Sequence, residues 1–374
     1  YVLFFVYLVH ILITCPQKDY NWDMSELQKL PVDPKKTETI TILKAESKAS
    51  KALAELKGIA QVIPNQFILI NAVVLQESQD SSEIENIITT KDELYKALSE
   101  TVKKVDSATK EVMFYREALY AGFAELKKHH FISINDIVNI QKQLVQNNAG
   151  IRTVPGTKLM NDRTNEVVYI PPQTKEEIDG LLKNFTEYLN NDDDSLTKLA
   201  ILHHQFESIH PFYDGNGRTG RIVNILYLIL KHHLDFPILY LSSYIIKNKE
   251  QYYELLQKVR TEEVWEKWIV FILKGIEETA VETIEKVKAI KELLDNTIEK
   301  VKSEASKIYS KELVETLFEN PYCKTEFIVK ALGVERKAAS RYLHKMEAIG
   351  ILTCIKVGKD NLFINVGLMD ILKE

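Results

Sequence analysis

The chain has only three cysteines, Cys15, Cys323 and Cys354, and they lie far apart. Thiols so few and so spaced build neither a disulfide framework nor a zinc site, and they fit a reducing cytoplasm. No Gly-x-x-x-x-Gly-Lys-Ser/Thr occurs, which excludes a P-loop, and the loop motifs of protein kinases are missing too. Cationic charge is not in excess: the formal net charge is −5 over 374 residues, so the chain as a whole is no nucleic-acid polycation. Glu207-x-x-His210 has no second copy, and a di-iron helix site needs one. The apolar run Tyr1 to Cys15 lacks an initiator Met and a basic leader and is short for a membrane span. Met24 is the first methionine, so residues 1–23 read as translation from upstream of the true start, with a truncated signal anchor as the rival. Lys91-Asp-Glu-Leu94 is internal and therefore no retention signal.

What the chain does have is size and apolar content for two or three domains, with 45% hydrophobic residues. It also has one dense stretch, His210-Pro-Phe212-Tyr-Asp214-Gly215-Asn216-Gly217-Arg218-Thr-Gly220-Arg221, with an apolar helical run behind it. Glycines just before a helix let main-chain N–H groups converge on an anion, and the helix N-terminus adds partial positive charge. Arg218 and Arg221, three residues apart, share a helical face; two guanidiniums beside such a nest suit a polyphosphate. Asp214 offers the hard oxygen that Mg²⁺ takes. His210 stands where a base could accept a proton from an attacking hydroxyl. Together these parts point to phosphate-group chemistry on a nucleotide.

The glycines Gly215-x-Gly217-x-x-Gly220, with Asp235 twenty residues on, also spell a dinucleotide-binding fingerprint, which needs a strand before it. The preceding apolar residues at 199, 202, 206 and 209 are spaced as in a helix, which argues against that reading. His203 and His204 read as helix-surface or packing residues rather than ligands.

The stretch resembles the signature of the Fic family, His-x-Phe-x-Asp/Glu-Gly-Asn-Gly-Arg-x-x-Arg, with every specified position filled. The resemblance implies transfer of AMP from ATP to a Ser, Thr or Tyr hydroxyl of a target protein, with His210 as base and Asp214 on Mg²⁺. It implies ATP along Gly215, Asn216 and Gly217, Arg218 and Arg221 on the β- and γ-phosphates, and Asn224 reaching the sugar or base. Removal of AMP from modified targets by the same site is an alternative. A nucleotide-sensing, DNA-binding regulator is another, and the intact His210 argues against it.

Along the chain, Thr37 to Ile63 has helical spacing, Pro64 to Ser78 leans to helix, and Ser81 reads as the cap of a helix start with acids in its first turn. Ser81-x-x-x-Glu85-Asn86 also matches the family's inhibitory pattern, which implies that Glu85 competes for Arg221. Residues 157–160 and 166–170 flank a polar turn and read as a β-hairpin; by the resemblance it is a flap that pairs with an extended target segment. Asp192-Asp-Asp194 caps or precedes the next helix. Tyr252 and Tyr253 suit core packing better than stacking on adenine. Ile276 to Val301 is one long helix, a spacer or a partner-binding stripe. Three helices and a two-stranded wing follow and resemble a winged helix-turn-helix. Arg336, Lys337, Arg341 and Lys345 lie on or near its second helix, and a protein contact or a homodimer is favoured over DNA there.

The expected fold is mainly α: a Fic-type helical core with a small β-hairpin flap, and a C-terminal winged helix-turn-helix domain. The expected divisions are an extension at 1–23, a helical region with the inhibitory helix at 24–100, a catalytic core at 101–275, a linker helix at 276–305 and a winged-helix domain at 306–374. The expected setting is cytoplasmic, with unknown target proteins, self-modification and no membrane partner.

Overall fold

The structure, a computed structural model, describes residues 27–99, 104–160, 164–358 and 360–373. The 1–23 extension lies outside them. The described chain is mostly helical and falls into two compact units. One comprises the described residues within 1–50, 117–233 and 244–277; the other comprises those within 51–116, 234–243 and 278–374.

The first unit is organised around the helix Leu196–Ile209, every residue of which is buried. It packs against the helices Lys175–Asn190 and Asn216–Leu230, and the latter also packs on Ile134–Val145. Its start is capped by Ser195, whose hydroxyl accepts the Lys198 N–H, and Asp192-Asp-Asp194 precedes that cap, the second of the two expected placements. Glu46 adds a carboxylate, accepting the Leu196 N–H at 2.6 Å and the Thr197 hydroxyl at 2.9 Å, where the helix dipole favours negative charge. His203 and His204 are core residues. His203 Nε2 meets the Tyr252 hydroxyl at 3.0 Å, and its ring stacks on Trp268 with centroids 5.9 Å apart. His204 sits edge-on to Trp265 at 4.8 Å. Tyr252 is buried with them, whereas its neighbour Tyr253 is 41% exposed and does not belong to the core.

The flap is a two-stranded antiparallel ribbon, Leu159–Met160 with Val167–Tyr169, in the register Leu159 to Tyr169 and Met160 to Val167. Gln173 fastens its base: its side-chain oxygen accepts the Gly156 N–H at 2.6 Å and its amide donates to the Thr157 carbonyl at 3.1 Å.

In the second unit the helix Gln66–Ile84 is capped by Asn65 and packs on Lys311–Glu319. This corrects the expectation of a helix starting at Ser81. The apolar run from Phe67 continues into the polar residues without a glycine or proline, so one helix carries both, and Ser81 is buried in its last turn. Glu85 is the C-cap, and Asn86 takes the left-handed turn that ends the helix, with φ 62°. Two turns earlier the same helix buries Glu77, whose carboxylate accepts the Tyr115 hydroxyl at 2.9 Å and the Ser242 N–H at 3.1 Å. Desolvation pushes this carboxyl up to about 7, against the pull of those hydrogen bonds.

The C-terminal region adds helices Thr325–Leu332 and Arg336–Ala348, then the hairpin Thr353–Val357 and Asp360–Ile364. A short strand, Tyr322–Cys323, pairs with Asp360–Ile364 to give a three-stranded antiparallel sheet, and a helix Val366–Lys373 follows. Neither of these two elements was expected. Arg336 is paired with Glu326. The long helix runs from Trp265 to Glu304. Its residues Ile284, Val287, Ile290, Leu294 and Val301 are buried in the fold, so this stripe is not a surface for a partner. Among the described residues no helix is long and apolar enough to cross a membrane.

The buried imidazoles set an acid limit on stability. Desolvation, with the Arg221 charge second, holds His203 down to about 3, and burial holds His204 well below its usual range. Their contribution is whole above the ordinary value near 6.5 and is lost as pH falls from there toward the folded value, at about 1.4 kcal/mol per pH unit for each. Glu77 acts in the opposite sense, losing its contribution as pH rises toward 7. The thermal midpoint should therefore fall on acidification from pH 6.5 to 5, and less steeply in His203→Asn. Equal slopes in scanning calorimetry would mean that His203 accepts a proton in the folded core.

Candidate active site

The helix Leu196–Ile209 ends because His210 turns into the left-handed region, with φ 48° and ψ 58°, while its N–H closes the last turn onto the Phe206 carbonyl at 3.0 Å. Such a turn costs a residue with a Cβ about 1–2 kcal/mol. It persists because the carbonyls around it are held from outside. A helix C-terminus leaves four carbonyls without intrahelical partners, and burial makes each of them costly. Arg260 Nη2 donates to the Glu207 carbonyl at 3.2 Å, and the Tyr169 hydroxyl donates to that of Ser208 at 3.0 Å. Arg152 Nη2 donates to the Ile209 carbonyl at 3.3 Å and its Nε to that of His210 at 2.7 Å. Two cations at this end of a helix also match its partial negative charge. The Arg260 guanidinium lies 3.9 Å from the centre of the Tyr169 ring, and its Nε donates to the Ser208 hydroxyl at 3.0 Å.

This setting fixes the charge state of His210. Desolvation, then the charges of Arg152 and Arg260, push its imidazole down to about 3, with the Glu207 backbone working in the other direction. The ring is therefore neutral at pH 7, as a proton acceptor must be. Nδ1 is the buried nitrogen, which leaves Nε2 for a reacting group.

The loop after His210 is pinned at both ends. Phe212 is fully buried, and Ile151 pairs with it in an antiparallel bridge. The Asn216 side chain closes the loop reciprocally, its oxygen accepting the Phe212 N–H and its amide donating to the Phe212 carbonyl, both at 2.8 Å. The Tyr213 hydroxyl accepts the Thr153 and Val154 N–H groups at 3.0 and 3.2 Å. Gly215 then opens the helix Asn216–Leu230 with φ 79°, and a Cβ there would sit 2.8 Å from Val145 Cγ1. Both the backbone and the space demand glycine. No side chain caps this helix, and the N–H groups of a first turn left without a cap are the kind of donors an anion can take.

Arg218, Arg221 and Asn224 are buried on the first three turns of the same helix, at 3%, 3% and 6% exposure. Arg218 Nη2 lies 3.5 Å from Asp214 Oδ1, and Gly215 N–H donates to that same oxygen at 2.6 Å. Gln141 holds the Asp214 carbonyl at 3.1 Å. Asn224 Nδ2 is buried without a hydrogen-bond acceptor among the described residues. Among the described residues no three His, Cys, Asp or Glu side chains group as a metal cage. Because a helix precedes the glycines, the dinucleotide fingerprint has no strand to work from.

The structure thus brings His210, Asp214, Gly215, Asn216, Gly217, Arg218, Arg221 and Asn224 into one loop and helix. Ser81, Glu85 and Asn86 belong to the other unit and close the helix Gln66–Ile84 there. Sequence reasoning missed Arg152, Arg260, Tyr169 and Gln141. Nothing in their spacing sets them apart. The one available signal was physical: a buried helix end must find donors.

The Fic/DOC family model matches residues 131–228, the Fic/DOC family N-terminal model residues 43–124, and the model for the C-terminal domain of SoFic-like protein adenylyltransferases residues 293–368. The chain is similar to the protein adenylyltransferase fic-1 of Caenorhabditis briggsae, 31% identical over 136 residues, which is 35% of this chain and 24% of that protein. The protein adenylyltransferase Fic of Aedes aegypti is 24% identical over 142 residues, 37% of this chain and 26% of its own. The chain spans about a quarter of the length of these curated relatives. Its fold is similar to that of a Fic family protein from Desulfovibrio desulfuricans, with a TM-score of 0.53, 17% identity, and coverage of 87% of this chain and 96% of that one. Fic-1 residues 134–508 from Caenorhabditis elegans give a TM-score of 0.51 at 20% identity, over 66% of this chain and 74% of that one. The motif, the helical fold around it and the three matched regions agree: this chain carries a Fic domain of the Fic/DOC family, with a Fic/DOC N-terminal region before it and a SoFic-like C-terminal domain after it.

Proposed function

We propose that the chain transfers AMP from ATP to a Ser, Thr or Tyr hydroxyl of a protein target, releasing pyrophosphate. One observation carries the reading. A neutral, half-buried imidazole at the end of one helix is joined by a pinned loop to the uncapped, arginine-bearing start of the next.

The triphosphate lies along the N–H groups that open the helix Asn216–Leu230, with Arg218 and Arg221 on its outer phosphates. Asn216 serves by holding the loop in shape, since both ends of its amide are used there. Asn224 Nδ2 donates to an acceptor of the nucleotide. Asp214 suits Mg²⁺: it is half exposed, and both hydrogen bonds to its carboxylate fall on Oδ1, which leaves Oδ2 for a hard cation that otherwise takes phosphate oxygens and water. When bound, Mg²⁺ neutralises charge on the triphosphate.

An extended target segment pairs with the flap, beside the exposed Met160 and Val168. His210 Nε2 takes the hydroxyl proton as the target oxygen bonds to the α-phosphorus and the bond from that phosphorus to the bridging oxygen breaks. Pyrophosphate leaves, and the proton passes from the imidazole to solvent. The incoming phosphate charge raises the basicity of the imidazole when it is needed. Rate comes mainly from positioning and charge neutralisation.

The same resemblance supports autoinhibition. Ser81-x-x-x-Glu85-Asn86 fits the family's inhibitory pattern, in which the glutamate competes with the γ-phosphate for the second motif arginine, Arg221 here. A helix end fixed by the buried Ser81 and the turn at Asn86 suits the presentation of one carboxylate.

Incubation with ATP labelled at the α-phosphate should label a target protein or the chain itself. Label from the γ-phosphate alone would indicate a kinase and overturn the reading. His210→Ala should lower transfer by about 10²–10⁴-fold while ATP affinity, measured by calorimetry, stays near that of the unaltered chain.

Glu85→Gly should raise labelling of target or self at matched protein concentration. A variant that labels no more strongly than the unaltered chain would reduce Ser81–Asn86 to a helix end.

A further inference from the structure

A base and a target strand must be held at a fixed separation for the transfer above, and the motif supplies only the base. Arg152 belongs to neither motif nor flap strand. It is wholly buried, and it bonds to two segments at once. On one side its Nη2 donates to the Pro172 carbonyl, where the chain leaves the flap. On the other, its Nη2 and Nε donate to the carbonyls of Ile209 and His210, and its own N–H donates to the Pro211 carbonyl at 2.9 Å. A second tie runs in parallel, from the Tyr169 hydroxyl on the flap strand to the Ser208 carbonyl.

The chemistry of the pairing is informative. No carboxylate pairs with Arg152; all its hydrogen-bond partners are main-chain carbonyls, and Nη1 is buried with none. The Glu177 carboxylate acts on Arg152 only from beyond ion-pair distance; burying a cation without a direct counter-charge is costly, and neutral donors could satisfy the same carbonyls more cheaply. A planar fork of fixed donors, by contrast, sets the distance between the segments it joins.

We infer that Arg152 is a positioning residue: it locks the flap and the His210 turn into one frame, so that a strand paired along the flap delivers its hydroxyl to Nε2 at a set height. The inference rests on the AMP-transfer reading of the site. Its unpaired charge has a second effect, on the imidazole itself. After desolvation it is the largest influence favouring the neutral ring, ahead of Arg260.

Two substitutions separate geometry from charge. Arg152→Met removes both; Arg152→Lys keeps the charge and loses the fork. With α-labelled ATP and a protein target, both should lose about 10²-fold in kcat, the scale of a small misplacement of reacting groups, with KM for ATP unchanged within about twofold. In the pH profile of kcat, the acid limb should move up toward 6.5 in Arg152→Met and stay in place in Arg152→Lys. A kcat unchanged in both would overturn the inference. So would loss of ATP affinity in step with kcat, which marks a merely structural arginine. If neither variant folds, Tyr169→Phe decides the matter: it removes only the parallel tie, and should lower kcat for the protein target without altering ATP affinity, whereas no change in kcat would sink the frame. Transfer indifferent to these residues removes this inference alone. No transfer by the unaltered chain removes the AMP-transfer reading, and this inference with it.

Discussion

The carbonyls that end the Leu196–Ile209 helix are buried and have no partners of their own, and the site is built on the need to pair them. Arg260, Tyr169 and Arg152 take those of Glu207, Ser208, Ile209 and His210 in turn. Without those donors His210 would have no reason to stay in a left-handed turn, and its ring would have no fixed direction. The same guanidiniums that satisfy the backbone also surround the imidazole with positive charge. Backbone satisfaction and the neutrality of the imidazole are thus one arrangement seen from two sides.

Much of this was legible in the sequence where the signal is local. The glycines, the two arginines and the apolar run after them mark a glycine-opened helix start bearing two arginines, because each requirement falls within twelve consecutive residues. Helical periodicity located the run Thr37 to Ile63, most of which is the helix Ile40–Ala60, and the run Ile276 to Val301, which lies within Trp265–Glu304, since one buried face repeats within each. Ser81 misled because a serine followed by acids reads as a start, while the structure uses it inside the last turn of a helix begun at Gln66. The strand Tyr322–Cys323 was too short to leave a periodic trace; it exists through its pairing with Asp360–Ile364. Arg152 and Arg260 were illegible for a deeper reason. They act through carbonyls, which every residue has, so no pattern of side chains announces them.

In the second unit a comparable device appears on the helix that carries Ser81 and Glu85. Glu77 is buried two turns before that helix ends, and the Ser242 main chain and the Tyr115 hydroxyl hold it. A carboxyl pushed up to about 7 gives this anchor a mixed protonation state near neutrality. Strong local structure in the helix, a left-handed stop at Asn86 and one interior hydrogen-bonded acid together fix where the polar end of the helix lies within its own unit.

The donors that complete the His210 turn come from three distant places in the chain: residue 152, residue 169 and residue 260. The turn at 210 is therefore a late product of synthesis. A growing chain that has already emerged past the glycines and both motif arginines still lacks Arg260, which lies fifty residues beyond His210, and with it one of the clamps on the His210 turn. The loop and the helix start, built from neighbours, can form early; the His210 turn waits for the chain to come back to it. Such an order separates the folding of the two halves of the motif during synthesis.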